Sequence, residues 1–345
     1  MDADAVRDRL RRVEDPDFGD DIVSLGLVND ITVTDDEVAV SLALGAPYSP
    51  GETELAGRVR AALDDLEADI DLSAHVAEPG REDAALPDVE NVIAVASGKG
   101  GVGKSTVAVN LAAGLADRGA RVGLFDADVY GPNVPRMVAA EEAPKATPDE
   151  TMVPPEKFGV KLMSMAFLLG EDDPVIWRGP MVHKVLTQLV EDVAWGALDY
   201  MIVDLPPGTG DTQLTMLQTV PLTGAVVVTT PQAVAVDDAR KGLRMFGRHD
   251  TDVLGIVENM GTFVCPDCCG EHDIFGSGGG EAIAEERDLP FLGSIPLDPA
   301  VRQQGDDGRP VVLDEGGAAG AAFREVVARV ADNAGYVRRK RVVEV

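Results

Sequence analysis

Gly98-Lys99-Gly100-Gly101-Val102-Gly103-Lys104-Ser105-Thr106 is the stretch on which the fold turns. It follows an apolar run at 92–96 and opens a helical pattern over 104–116, the strand, glycine turn and helix of a phosphate-binding loop. Glycines let backbone N–H groups point inward at phosphate oxygens, and the new helix turns its positive end to the same anion. In that geometry Lys104 reaches the β- and γ-phosphates of ATP, and the Ser105 hydroxyl ligates Mg2+. A glycine-rich turn without a ligand would have no use for Lys104 and Ser105 at those places.

Outward from this loop, buried-type strands alternate with helices. Apolar runs stand at 92–96, 122–125, 200–203, 225–228 and 254–257, and helical patterns at 104–116, 181–193, 235–248 and 317–331. Continuous apolar strands are what a parallel sheet covered on both faces requires. The expected fold class is therefore α/β: a P-loop NTPase with a mostly parallel sheet and helices on both faces, preceded by a small α+β domain. That domain shows a helix from Val6, a segment at 22–27, strands at 31–33 and 38–44, and a helix at 53–66. Residues 78–90, rich in Pro, Gly and charge, read as a linker. The expected division is a small domain at 1–78, a linker at 79–90, a P-loop domain at 91–335 and a tail at 336–345. The proline-rich stretch 144–155 reads as a surface loop.

Sixty acidic residues against thirty basic ones give a formal charge of −30 over 345 residues. Such a surface repels itself unless salt screens it; at molar salt the Debye length is only about 3 Å. The balance points to a salt-rich cytoplasm and speaks against nucleic-acid binding, which needs a basic face. No basic start followed by an apolar run marks a signal peptide, and no apolar stretch is long enough to span a bilayer. A cytoplasmic protein without a membrane partner is expected.

Two further segments face the phosphates. Asp126 and Asp128 follow the second strand, in Asp126-Ala127-Asp128-Val129-Tyr130-Gly131-Pro132-Asn133, where strand ends look into a ligand crevice. The apolar run 198–203 ends in Asp204, a Walker B strand whose carboxylate is placed to hold Mg2+ through water. After Asp204, Leu205-Pro206-Pro207-Gly208-Thr209-Gly210-Asp211 looks like a switch that can change shape when the γ-phosphate leaves. Lys99, at the second position of the loop, resembles the signature lysine of the deviant Walker A ATPases. That group includes the nitrogenase iron protein, ParA and MinD positioning ATPases and Mrp-type carriers. The resemblance implies that Lys99 contacts phosphate across a face-to-face homodimer. It also implies that Asp128 orients the attacking water, Asp126 supports the metal side and Asn259 contacts the adenine base.

All three cysteines cluster at Cys265, Cys268 and Cys269. The Cys265-Pro266-Asp267-Cys268 spacing lets two thiolates converge on one centre, and two copies across a two-fold axis complete four-fold coordination. A bridging [4Fe-4S] cluster and a bridging zinc both fit that spacing. Taken with the phosphate loop, the Asp126–Asn133 string, the Asp204–Asp211 string, Glu258-Asn259-Met260 and Ile274-Phe275-Gly276, the pair makes the chain from Asn91 onward resemble the Mrp family of iron-sulfur cluster carrier ATPases. Asp15-Pro16-Asp17 and Ile22-Val23-Ser24-Leu25-Gly26-Leu27-Val28 resemble the MIP18-type assembly domain often fused in front of Mrp. The resemblance implies a carrier that binds ATP, Mg2+ and a dimer-bridging [4Fe-4S] cluster, works with cluster scaffold proteins and serves apo iron-sulfur proteins. The chain departs from these families at Tyr48-Ser49-Pro50, where a cysteine commonly precedes the proline, and at Cys269, which stands in place of a glycine. A MinD- or ParA-like positioning ATPase and a zinc-bridged structural ATPase are the competing expectations.

Overall fold

Alternation of apolar and polar residues builds the smaller of two units. The computed structural model describes residues 2–344 apart from 35, 77–84, 149–150, 169–178, 266–267 and 269. It divides into one unit of Met1–Arg81 with Ala331–Val345 and a second of Glu82–Val330. In the first, Asp2 caps α1 (Ala3–Leu10) by accepting the Ala5 amide at 3.0 Å. Strands β1 (Val28–Val33) and β2 (Glu37–Leu42) pair antiparallel, and β3 (Asp69–Ala74) joins β2 in parallel after α2 (Pro50–Leu63). Val38, Val40 and Leu42 of β2 are buried, the period of two that places one face on a core. Helix α2 begins at Pro50 rather than at the expected 53. Ser49 caps it by accepting the Glu52 amide at 3.1 Å, and proline suits a first helical turn. Strand β3, too polar to stand out, had no counterpart in the sequence reading, and residues 22–26 form turns.

The second unit continues with β4 (Val89–Ser97), α3 (Lys104–Asp117), β5 (Val122–Asp126) and α4 (Val134–Met137). Short strands β6 (Lys145–Ala146) and β7 (Met152–Val153) pair with each other before β8 (Glu156–Lys157) and β9 (Val160–Ser164). Then come α5 (Gly179–Glu191), β10 (Leu198–Asp204), α6 (Asp211–Thr219), β11 (Gly224–Thr229), α7 (Ala233–Arg248) and β12 (Val253–Glu258). A hairpin of β13 (Phe263–Val264) and β14 (Glu271–His272) precedes α8 (Gly279–Arg287), β15 (Phe291–Ser294), α9 (Pro299–Asp306) and α10 (Ala318–Val343), which belongs to the first unit from Ala331 onward. The main sheet runs β15-β12-β11-β4-β10-β5-β9-β8 and is parallel except where β8 meets β9. Every residue of β10 and β11 is buried, as expected of central strands covered on both faces. From β4 the chain crosses to β5 on one side, and from β10 it crosses back over β4 to β11. The loop after β4 therefore lies at the switch point where a parallel sheet opens a crevice.

The expected tail at 336–345 is corrected by this structure. Helix α10 runs on to Val343, and Val337, Arg338 and Arg339 are buried. Read alone, the run Arg338-Arg339-Lys340-Arg341 looks like solvated charge. Its partners lie some three hundred residues upstream: Arg339 Nε stands 3.0 Å from Asp15, Nη1 2.8 Å from Glu52, and Nη2 bonds Asp17. Asp332 adds bonds from Ser49 Oγ at 2.7 Å and the Gly51 amide at 2.8 Å. Burial raises the Glu52 carboxyl above its ordinary range, opposed by the Ala46 amide and by Arg339. Of the expected linker, 79–84 lies outside the described residues. Arg339→Ala would leave buried carboxylates unpaired, so it should lower the stability of the smaller unit by about 3–5 kcal/mol. Denaturant unfolding measures this, and a midpoint like that of the wild type would show that the acids are hydrated instead.

Candidate functional site

Three parallel strands end in one row. Their register aligns Asp204 of β10 with Asp126 of β5, and Asp126 with Ser164 of β9. All three side chains are fully buried. On the other side β4 runs past Val95, the partner of Asp204, to Ser97, where the phosphate loop begins.

That loop needs its glycines for two reasons. Gly101 and Gly103 adopt φ of 80° and 86°, a left-handed backbone that other residues take with strain. Gly98 and Gly103 also meet close neighbours: an added Cβ would stand 2.1 Å from the Asp238 backbone or 2.0 Å from Asn259 Nδ2, respectively. Helix α7 and Asn259 thus press directly on the loop. Asn259 Nδ2 donates to the Val102 carbonyl at 2.8 Å, so its amide nitrogen braces the loop. Lys99 is half-buried in the loop, with its carbonyl accepting from Ser97 Oγ at 3.0 Å. Val102 is buried, and Gly100, Ser105 and Thr106 line the same turn and helix start.

Lys104 opens α3 and buries its ammonium, 2.5 Å from Asp204 Oδ1 and 3.4 Å from Ser105 Oγ. Asp204 Oδ2 is buried without a hydrogen-bond partner. Burial pushes the Asp204 carboxyl above its ordinary range against the pull of Lys104. Burial, and then the charge of Asp204, push Asp126 up to about 7, opposed by the Ser164 hydroxyl and Lys104. Two carboxyls thus share one ammonium. When that ammonium turns to a phosphate, the orphaned Asp204 oxygen and the Ser105 hydroxyl form a hard oxygen donor set of the kind Mg2+ takes. The residues present therefore fit that ion.

Asp126 also organises the loop that carries Asp128. Its Oδ1 accepts the Asp128 amide at 3.2 Å, and its Oδ2 accepts the Val134 amide at 3.3 Å and Ser164 Oγ at 2.9 Å. Beside the phosphate loop a cavity of about 490 Å³ is lined by Thr106, Arg136, Asn259, Met260 and the wall from Pro296 to Asp306. Its size suits a nucleoside.

Asn259 leads within a few residues to the cysteines. Glu258 anchors this segment, accepting the amides of Gly278 at 3.1 Å and Gly280 at 2.7 Å. The hairpin pairs Phe263 with His272, and the Cys265 amide donates to Gly270 at 2.9 Å, closing the turn. Cys265 is half-buried and Cys268 exposed; Cys269 lies outside the described residues. A methyl group on Gly270 would meet Cys268 Sγ and His272 Nε2 at 3.3 Å each, so the glycine leaves a notch between them. Among the described residues, no three His, Cys, Asp or Glu side chains of one chain form a metal-holding group.

Sequence reading missed Ser164, Glu258, Gln213 and the wall at 296–306. Gln213 Nε2 holds the Pro206 carbonyl at 2.6 Å in the loop after Asp204. Only Ser164, at the end of an apolar run, carried a signal of its own.

The family described as NUBPL iron-transfer P-loop NTPase matches residues 88–331, and the family described as iron-sulfur cluster assembly protein matches 3–76. Proteins named iron-sulfur cluster carrier protein are 44% identical in Synechocystis, over 94% of this chain and 96% of theirs, and 46% identical in Deinococcus radiodurans, over 94% and 93%. A nucleotide-binding protein from Archaeoglobus fulgidus, solved with ADP, is 38% identical over 68% of this chain and 93% of its own, with a TM-score of 0.60. The cell division ATPase MinD of Pyrococcus furiosus shares the fold at 22% identity and a TM-score of 0.53, over 70% of this chain and 98% of its own.

Burial and the charge of Asp204 push the Asp126 carboxyl up to about 7 in the folded chain, from an ordinary value of 3.8. Between those values the folded state holds a proton that the unfolded state has released, so this group makes stability fall as pH rises from about 4 to about 7. Asp126→Asn should flatten that part of the profile, measured by urea unfolding across the range. An unchanged slope would remove Asp126 as its source.

Proposed function

We infer that this chain, which belongs to the family of NUBPL-type iron-transfer P-loop NTPases, is an ATP-hydrolysing carrier that holds an iron-sulfur cluster at the interface of a homodimer and delivers it to apo-proteins. The observation that carries this reading is the short path from nucleotide to cysteine. Asn259 grips the phosphate loop at Val102, and the same strand end runs on through residues 260–264 to Cys265. A change in the loop on ATP binding or hydrolysis therefore pulls on the base of the cysteine hairpin.

On binding ATP, the loop amides from Gly98 to Thr106 bond the phosphates, and Lys104 leaves Asp204 for the β- and γ-oxygens. Ser105 and, through water, Asp204 would hold Mg2+, which neutralises charge developing on the transferred phosphoryl group. Asp128 orients water towards the γ-phosphate, and Lys99 reaches the nucleotide of the partner subunit, so turnover depends on the two copies meeting. The cavity walled by residues 296–306 takes the base and ribose. Each subunit supplies Cys265 and Cys268, and a [4Fe-4S] cargo satisfies all four thiolates. Opening and closing of the dimer then biases holding against release.

A surface-positioning ATPase would need a basic or amphipathic end to engage DNA or a membrane. The only candidate segment has Arg338 and Arg339 buried, and no helix among the described residues is long and apolar enough to cross a membrane. The formal charge of −30 supports work in a salt-rich cytoplasm.

Anaerobic reconstitution with iron and sulfide in concentrated salt should give one labile cluster per dimer, lost when Cys265→Ser and Cys268→Ser are combined; zinc alone in the wild type would sink the carrier reading. Lys104→Ala should abolish ATP turnover. Asp128→Ala should bind ATP with near-normal affinity yet hydrolyse it slower by about a hundredfold or more. A normal rate in Asp128→Ala would move the water-positioning role elsewhere.

A further inference from the structure

Ser164 lies outside the phosphate loop, the Walker B strand and the cysteine hairpin, yet it sits in the row of strand ends that carries the two acids. It is fully buried. Its hydroxyl donates to Asp126 Oδ2 at 2.9 Å and accepts the Ala166 amide at 3.1 Å, so both its roles are used. Asp126 in turn holds both ends of one loop, the amide of Asp128 at the start and that of Val134 at the finish. The carboxylate has no room to choose another rotamer while three donors from three segments converge on it.

We propose that Ser164 is a positioning residue for hydrolysis: its hydroxyl fixes the Asp126 carboxylate, and through it the loop 127–133 that presents Asp128 to the γ-phosphate. The proposal rests on the ATPase reading above, and it deepens that reading by one residue. The geometry has a reason to need this donor. Asp126 stands beside Asp204 at the same level of the sheet, both fully buried, and whenever both are ionised their like charges drive them apart. The amides of Asp128 and Val134 are the long bonds of the set, and the Ser164 hydroxyl is the short one that holds Asp126 against that repulsion. Binding of ATP draws on the phosphate loop and not on Ser164, so the effect falls on turnover rather than on affinity.

The test combines kinetics with amide hydrogen exchange. Ser164→Ala should lower kcat by about tenfold, the loss of one charge-assisted hydrogen bond, with KM for ATP within about twofold of wild type. Ser164→Thr, which keeps the hydroxyl, should restore the rate. In Ser164→Ala the amides of Asp128 and Val134 should exchange about tenfold faster while those of β5 stay protected. Wild-type kcat or unchanged exchange at both amides overturns the proposal. A rate loss that threonine does not rescue, accompanied by a lower melting temperature, also overturns it, because it assigns Ser164 to packing around Ala166. If Ser164→Ala fails to fold, Ser164→Cys keeps the shape with a weak donor, and the same two readings apply to it. Exchange needs no turnover, so a wild type without ATPase activity would sink the functional reading while the exchange result still decides this one.

Discussion

A buried ammonium paired with one of two adjoining buried carboxyls is the constraint around which the larger unit is arranged. Lys104 bonds Asp204, and Asp126 stands next to Asp204 at the same level of the sheet. Charges are placed there only because the parallel strands β10, β5 and β9 end together and the glycine loop caps them. Without a ligand the trio is short of positive charge, which appears as an Asp126 carboxyl titrating at about 7 and an Asp204 oxygen without a partner. In the proposed reading, a phosphate would take Lys104 and a cation would meet the two acids, so the charges that burial sets against each other here are the ones a nucleotide with its metal ion would balance.

The second constraint is steric. Gly98 is pressed by α7 and Gly103 by Asn259, so the phosphate loop has no slack on either side. Packed contacts of this kind move as units and not by gradual bending. The Asn259 contact matters more for function, because the residue sits at the end of β12 just before the cysteine hairpin. Glu258 holds the start of α8 through the amides of Gly278 and Gly280. Consecutive residues at the end of β12 thus tie down the phosphate loop on one side and α8 on the other.

Much of this was legible in the sequence, and what was not has a common cause. The phosphate loop, Asp126, Asp128 and Asp204 announce themselves because glycine spacing and apolar runs ending in acid have few other uses. The central strands were found because burial on both faces leaves unbroken apolar runs. Ser164, Gln213 and Glu258 were missed because each acts by hydrogen bonds that close onto other segments, Ser164 onto Asp126, Gln213 onto the Pro206 carbonyl and Glu258 onto the amides of Gly278 and Gly280, and such pairings leave no spacing to read along the chain. The end of α10 was misread for the same reason: nothing near Arg339 hints that Asp15, Asp17 and Glu52 await it. Asn259, expected by resemblance to contact the base, has its amide nitrogen bonded to the phosphate loop itself.

That helix end has a consequence for how the molecule is made. The acids at Asp15, Asp17 and Glu52 leave the ribosome early, and their counter-ion is added only after the whole P-loop unit has been synthesised. At translation rates of about 5–20 residues per second, the roughly three hundred intervening residues take on the order of fifteen to sixty seconds. For that interval Asp15, Asp17 and Glu52 are without the arginine that pairs them in the folded unit. Completion of this unit therefore waits on helix α10, and a nascent chain stalled before Arg339 leaves these acids without their counter-ion.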